Sequence, residues 1–309
     1  MTHPTTQYAP VLLFTYKRLD TLKKTIAALL QNELAAESDL IIFSDQAKSQ
    51  DDIETVKTVR AYLRTISGFK KIVINEASKN KGLANSIIQG VTDTINTYGK
   101  VIVVEDDILT TPNFLTFMND SLSKYELEKK VFSIAGYSFN LGPANATNYP
   151  YDAYFIPRGW PWGWATWKDR WTGIDWQMKD YPSFSKNFIQ RRKFSRGGSD
   201  LNLMLKRQMN GKLDSWAIRW FYHQFKVGGL TLYPILSKVY NDGFDEHATH
   251  TLGSNQRYKP LLDETSVFEF TLPPQANVDP SYYRKFRNKL SIKARIISKI
   301  QTLQKRLQK

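Results

Sequence analysis

Three consecutive carboxylates, Glu105-Asp106-Asp107, follow four consecutive apolar residues, Val101-Ile102-Val103-Val104. Acids this close repel one another, which lowers stability unless something positive balances them. A divalent cation does so. Carboxylate oxygens suit Mg2+ or Mn2+, which take one or two protein carboxylates and complete their shell with phosphate oxygens. The reading that follows is a metal on the diphosphate of a nucleotide-activated substrate. The plainer reading is a solvated acidic turn before a helix opened by Pro112.

A further carboxylate stands in Lys212-Leu213-Asp214-Ser215-Trp216. Asp214 precedes an apolar helical stretch (Trp216, Ile218, Trp220, Phe221), so one role is an N-cap. The other is a general base, taking the proton of an attacking hydroxyl. Residues 158–167 read Arg-Gly-Trp-Pro-Trp-Gly-Trp-Ala-Thr-Trp. Small residues let a backbone pass close to a ligand, and the rings offer flat apolar faces with N–H donors. This suits a saccharide pocket reached by one or two of Trp160, Trp162 and Trp164, with a packed core for most of the rings. His247 and His250 are three apart in a polar loop, which favours a phosphate-contacting or solvated role over a metal pair.

The elements that must position these groups alternate. Strands are expected over 11–16, 40–43, 71–74, 101–104 and 131–135. Helices are expected over 20–31, 51–66, 83–98 and 112–128, with Asp20 and Asp51 or Asp52 as caps. This βαβαβαβα order with short links predicts an α/β fold with a mostly parallel sheet flanked by helices. Ligands in such sheets sit at the carboxyl ends of strands, here residues 15–18, 44–46, 76–82 and 105–107. Later helices are expected over 200–210 and 214–227, strands over 230–233 and 268–272, and a loop over 241–251.

Residues 11–18 (Val-Leu-Leu-Phe-Thr-Tyr-Lys-Arg) and 101–108 (Val-Ile-Val-Val-Glu-Asp-Asp-Ile), with Pro112-Asn113-Phe114, resemble the GT-A nucleotide-sugar glycosyltransferases. Within that family they are most similar to the inverting N-acetylglucosaminyltransferase I-like enzymes and to bacterial family 2-like transferases. The resemblance runs from about residue 10 to 251. It implies a GT-A-type, Rossmann-like fold and metal-dependent transfer with inversion, by a hexosyl- or N-acetylhexosaminyltransferase. The implied donor is a nucleotide sugar, a UDP-sugar. The implied acceptor is a hydroxyl of a glycan or lipid-linked glycan, in bacterial surface polysaccharide or glycoconjugate synthesis.

The resemblance also implies roles. Asp107 holds Mn2+ or Mg2+, with Glu105 and Asp106 on the ribose or supporting the site. Arg18, Asp45 and Lys81 fall where the family holds nucleoside and phosphates, Asp45 on a base N–H and Lys81 on phosphate. Gly163 and its neighbouring tryptophans lie beside the donor sugar, and Asp214, in an Asp-x-Trp frame with Trp216, is the base. The second acid of that motif is Ser215 here. His250 belongs to a donor-covering loop near the diphosphate. The chain then divides into a nucleotide-sugar-binding half (1–140), an acceptor and catalytic half of the same domain (141–280) and a tail (281–309).

Composition narrows the alternatives. The absence of cysteine excludes disulfide scaffolds, cysteine nucleophiles and thiolate metal sites, and it fits a reducing, cytoplasmic setting. The first glycine is Gly68, so neither a dinucleotide fingerprint nor a P-loop opens the chain. A nucleotidyltransferase on a similar fold would want a Gly-rich loop after the first strand, and Thr15-Tyr16-Lys17-Arg18 lacks one. No apolar run reaches the roughly 18–20 residues of a spanning helix, and residues 1–10 lack signal-peptide features.

The formal charge is +14, from 43 basic and 29 acidic residues. Residues 281–309 hold ten basic residues and no acid, which leaves +4 for the rest and argues against a nucleic-acid partner. At helical spacing Phe286, Leu290, Ile292, Ile296, Ile297, Ile300, Leu303 and Leu307 share an arc. A cationic amphipathic helix over 284–309 suits peripheral association with the inner face of an anionic membrane. Packing on its own domain or on a partner subunit is the other reading. A non-enzymatic membrane- or polyanion-binding protein acting through this tail is the remaining functional class.

Overall fold

The computed structural model describes residues 8–142, 149–243 and 255–307. Strands β1 (Val11–Thr15), β2 (Asp39–Ser44), β3 (Lys71–Glu76) and β4 (Lys100–Glu105) alternate with helices α1 (Leu19–Leu30), α2 (Ile53–Leu63) and α3 (Leu83–Tyr98). Strand β5 (Ile108–Thr110), helix α4 (Phe114–Lys124) and strand β6 (Val131–Ala135) follow. Next come β7 (Ala153–Ile156), β8 (Trp164–Trp167) and helices α5 (Lys168–Trp171), α6 (Tyr181–Lys186), α7 (Phe188–Phe194), α8 (Leu201–Met209) and α9 (Trp216–Lys226). Strands β9 (Leu230–Pro234) and β10 (Val239–Asn241) precede α10 (Pro280–Lys289) and α11 (Ile292–Leu307).

Eight strands form one sheet in the order β3-β2-β1-β4-β8-β6-β9-β7. Only β8 and β7 run against the other six, so the fold is α/β with a mostly parallel sheet flanked by helices. Both faces are covered, which is why the strands read as unbroken apolar runs. Along β1, Val11 and Leu13 enter one core while Leu12 and Phe14 enter the other. The first core includes Leu22 of α1, Leu115 of α4 and Phe286 of α10, and the second Ile87 of α3 and Ile218 of α9.

Several expectations change. Residues 164–167, read as part of a pocket, form β8 in the middle of the sheet, between β4 and β6. Residues 268–272 form no strand; the segment meets the sheet edge where the Asp152 N–H donates to the Thr271 carbonyl at 2.8 Å. Neither Asp20 nor Asp52 caps a helix through its side chain: Arg18 holds the N-cap position of α1, and the Asp52 carboxylate accepts from the Tyr16 hydroxyl and Lys17. The basic tail is two helices, because Leu290 leaves the helical path with its side chain buried.

Candidate active site

The acidic run lies where β4 ends, beside the end of β1. Asp106 is buried and turns toward β1, accepting from the Thr15 hydroxyl at 3.0 Å and from the Tyr16 N–H at 3.3 Å. The Arg18 guanidinium bridges the carboxylates of Asp106 and Asp107, standing 2.8 Å from Asp107 Oδ2. Burial, reinforced by the neighbouring Asp107 and opposed by Arg18, raises the pKa of Asp106. Burial and the charges of Asp107 and Asp106 push Glu105 up to about 8. For Arg18, burial lowers the pKa, but Asp106 and Asp107 outweigh it and the net shift is upward.

A two-stranded ribbon brings a second segment to this point. β10 pairs antiparallel with β5, setting Asn241 opposite Ile108. The Asp242 N–H then donates to the Asp107 carbonyl at 2.8 Å, and the Asp242 carboxylate pairs with Lys24 at 2.7 Å. Asn241 Oδ1 accepts the Gly243 N–H at 2.8 Å. The ribbon is anchored by a buried pair: Lys238 bonds Asp263, which also accepts from Asn113 at 2.9 Å. Sequence reading placed residues 241–251 in a donor-covering loop but did not single out Asp242 and Gly243. The available signal was Asn241-Asp242-Gly243 directly after Val239-Tyr240, a turn signature.

Asp45, just past β2, does structural work with its carboxylate. It accepts the N–H groups of Gln46 and Lys81 at 2.9 Å each, and of Gly82 at 2.9 Å. These bonds tie the loop before α3 to the end of β2. The Lys81 side chain is exposed there. Gly82 has φ +74°, a left-handed conformation that L side chains rarely adopt, and so lets the chain turn into α3.

The tryptophans divide. Trp160, Trp164 and Trp216 are core residues, at most 4% exposed, which leaves Trp162 as the ring of residues 160–164 that is open toward a ligand. Trp160 stacks on Tyr137 at 4.9 Å, and Trp164 packs on Trp216 and Trp220. Trp162 keeps a partly open face, with its edge on Tyr137. Gly163 is buried with φ +54°, and its carbonyl accepts the Gly136 N–H. A Cβ there would stand 2.9 Å from Val239, so the position is needed for close packing of β10.

Asp214 precedes α9. Trp216 packs beneath Trp164, whose register partner is Val103 near the end of β4, while His223 lies on Phe132 near the start of β6. The helix therefore begins at the same end of the sheet as the acidic run. Ser215, not Asp214, is its N-cap, accepting the Ile218 N–H. The Asp214 carboxylate is left 66% exposed, 3.1 Å from Arg219. His247 and His250 lie outside the described residues.

The donor set tests the expected metal. Among the described residues, no three His, Cys, Asp or Glu side chains converge to hold an ion by themselves. Mg2+ and Mn2+ do not require that, since one or two carboxylates suffice when phosphate oxygens complete the shell. Asp106 and Asp107, both on Arg18, and Glu105 beside them put hard oxygen donors at the end of β4, which fits such a cation.

No family model and no curated protein matches the chain. Similar solved structures include S. aureus TarS, at 14% identity and a TM-score of 0.32 over 47% of this chain and 23% of that one. They also include the mannosyltransferase PcManGT from Pyrobaculum calidifontis in complex with GDP-Man and Mn2+, at 12% identity and a TM-score of 0.40. That match covers 72% of this chain and 70% of the other.

Proposed function

We propose that the protein is a metal-dependent, inverting glycosyltransferase. Its donor is a nucleotide sugar, a UDP-sugar, and its acceptor a hydroxyl of a glycan or lipid-linked glycan. The observation that supports this most is the crowding of Glu105, Asp106 and Asp107 at the end of β4, beside the end of β1, offset by Arg18. A site built this way calls for a cation whose remaining positions are filled by phosphate oxygens.

Asp107, partly open to solvent, is the carboxylate that would hold Mn2+ or Mg2+, since Asp106 is committed to β1. The bound ion would offset charge on the departing diphosphate. Arg18 orients Asp107 and adds positive charge on the same side. Asp45 shapes the loop that faces the nucleoside, and Lys81 at its exposed tip meets phosphate. Trp162 offers a flat face to a sugar ring. Asp214 takes the acceptor hydroxyl proton as the acceptor oxygen bonds to the sugar C1. The C1–O bond to the diphosphate breaks in the same displacement, its electron pair leaves with the diphosphate, and in-line attack inverts C1.

A thermal-shift panel of nucleotide sugars, with and without Mn2+, tests this reading, because a ligand that binds only the folded state raises the unfolding midpoint. A metal-dependent shift is expected with at least one nucleotide sugar, and Asp107→Ala should lose it. Absence of any shift, with pyrophosphate released from a nucleoside triphosphate, would replace glycosyl transfer by nucleotidyl transfer.

A further inference from the structure

Helix α11 presents its apolar side to solvent. The preceding helix α10 is fixed to the core by Tyr282, Phe286 and Leu290, all at most 4% exposed. The chain then turns, with the Ser199 N–H and hydroxyl both donating to the Leu290 carbonyl. The side of α11 that meets the body carries Ala294, Arg295 and Ser298, and Arg295 Nη1 donates to the Ser199 carbonyl at 3.3 Å. The opposite side carries Ile292, Ile296, Ile297 and Ile300, which are 65%, 55%, 44% and 49% exposed. At 100° per residue these four span an arc of about 140°. Lys293 and Lys299, both exposed, lie within or beside that arc. In sequence, leucines at 303 and 307 continue the spacing.

A helix that served only to complete its own domain would bury the isoleucines. This one turns half-buried alanine, arginine and serine toward the body and leaves its apolar stripe for something else. We propose that the occupant is an anionic lipid surface, with α11 lying in the interfacial plane. Ten basic residues and no acid in 281–309 supply attraction to such a surface. The same charge opposes a second copy, because pairing two α11 helices would bring two cationic strips together. No helix among the described residues is long and apolar enough to cross a membrane, which fits a helix that lies on it. Phe286 of α10 packs on Phe139 at 5.2 Å, and Phe139 packs on Trp160 at 5.0 Å. Docking through α11 would therefore hold the aromatic cluster around Trp160 and Trp162 at a set position relative to the lipid.

The test uses the full chain and the double variant Ile296→Glu/Ile300→Glu, whose exposed positions leave the core untouched. Co-sedimentation is measured with vesicles of phosphatidylglycerol and phosphatidylcholine and with vesicles of phosphatidylcholine alone. Sedimentation velocity without lipid reports the oligomeric state. The expected result is binding to the anionic vesicles that weakens with salt and falls about tenfold or more in the variant and on neutral vesicles. Equal binding of both proteins to anionic vesicles would overturn the proposal. So would absence of vesicle binding by the wild type, or a wild-type dimer that the variant loses while vesicle binding is absent. Nucleotide-sugar protection, measured on both proteins in parallel, reports separately on the proposed chemistry.

Discussion

Gly243 lies against the Asp107 carboxylate so closely that a Cβ at position 243 would stand 2.1 Å from Asp107 Oδ2. The contact is held by the Asp242 N–H on the Asp107 carbonyl and by Asn241 on the Gly243 N–H. A carboxylate can rotate away from a methyl group, so Gly243→Ala should fold. It should nonetheless displace the group assigned to the metal, lowering transfer by about 10–100-fold, the usual cost of disturbing a ligand's support. Wild-type transfer by Gly243→Ala would show that Asp107 works in another orientation.

Arg18 balances two carboxylates that sit side by side. Replacing it with methionine leaves buried Asp106 without that partner, and breaking a buried pair typically costs about 3 kcal/mol or more. Urea unfolding of Arg18→Met should show this loss, and Mn2+ should recover part of it by binding the folded state. Unchanged stability would mean that the carboxylates are balanced elsewhere.

Asp214 and Ser215 are adjacent and should behave oppositely. Ser215→Ala removes an N-cap and should cost about 1 kcal/mol of stability, with transfer largely retained. Asp214→Asn should abolish transfer while leaving stability and nucleotide-sugar binding near wild type. Active Asp214→Asn enzyme would remove the assigned base.

Asp263 makes a specific pH dependence. Burial raises its pKa, but bonds from Lys238, Thr265 and Asn113 outweigh burial and hold it below the usual value. Its contribution is therefore present above the unfolded value of about 3.9 and is lost as pH falls through the folded one. Wild type should exceed Asp263→Asn by about 3 kcal/mol near neutral pH, and the gap should close below about pH 4. A gap that persists unchanged into acid would show that the charge of Asp263 is not what anchors β10.

Trp160 and Trp162 differ in kind. Trp160→Ala empties a stacked position in the core and should destabilise by about 3–5 kcal/mol. Trp162→Ala should cost less stability and act mainly on KM for the sugar-bearing substrates. Equal effects on folding, with KM unmoved in both, would assign Trp162 to the core as well.

Local pattern determined a good part of this protein. Continuous apolar runs such as residues 11–15 and 101–104, separated by amphipathic stretches, require strands covered on both faces, and the sheet follows. The placement of Arg18, Asp45 and Glu105-Asp106-Asp107 at strand ends follows from the same alternation, since a parallel sheet puts those ends on one edge. The tertiary structure decided what depends on distant partners. Residues 164–167 read as part of a ring-rich pocket because tryptophan suits pocket and core alike; only pairing with β4 and β6 makes them a central strand. Asp242 and Gly243 reach Asp107 through the ribbon of β10 with β5, a contact across more than a hundred residues that no local spacing encodes. The tail's helical period was legible, but its single apolar arc was not kept: the break at Leu290 sends Phe286 and Leu290 into the core and the isoleucines of α11 outward. A hydrophobic stripe fits a core or an outside partner equally, and the burial of Leu290 together with the contact of Arg295 on Ser199 turns the isoleucines outward.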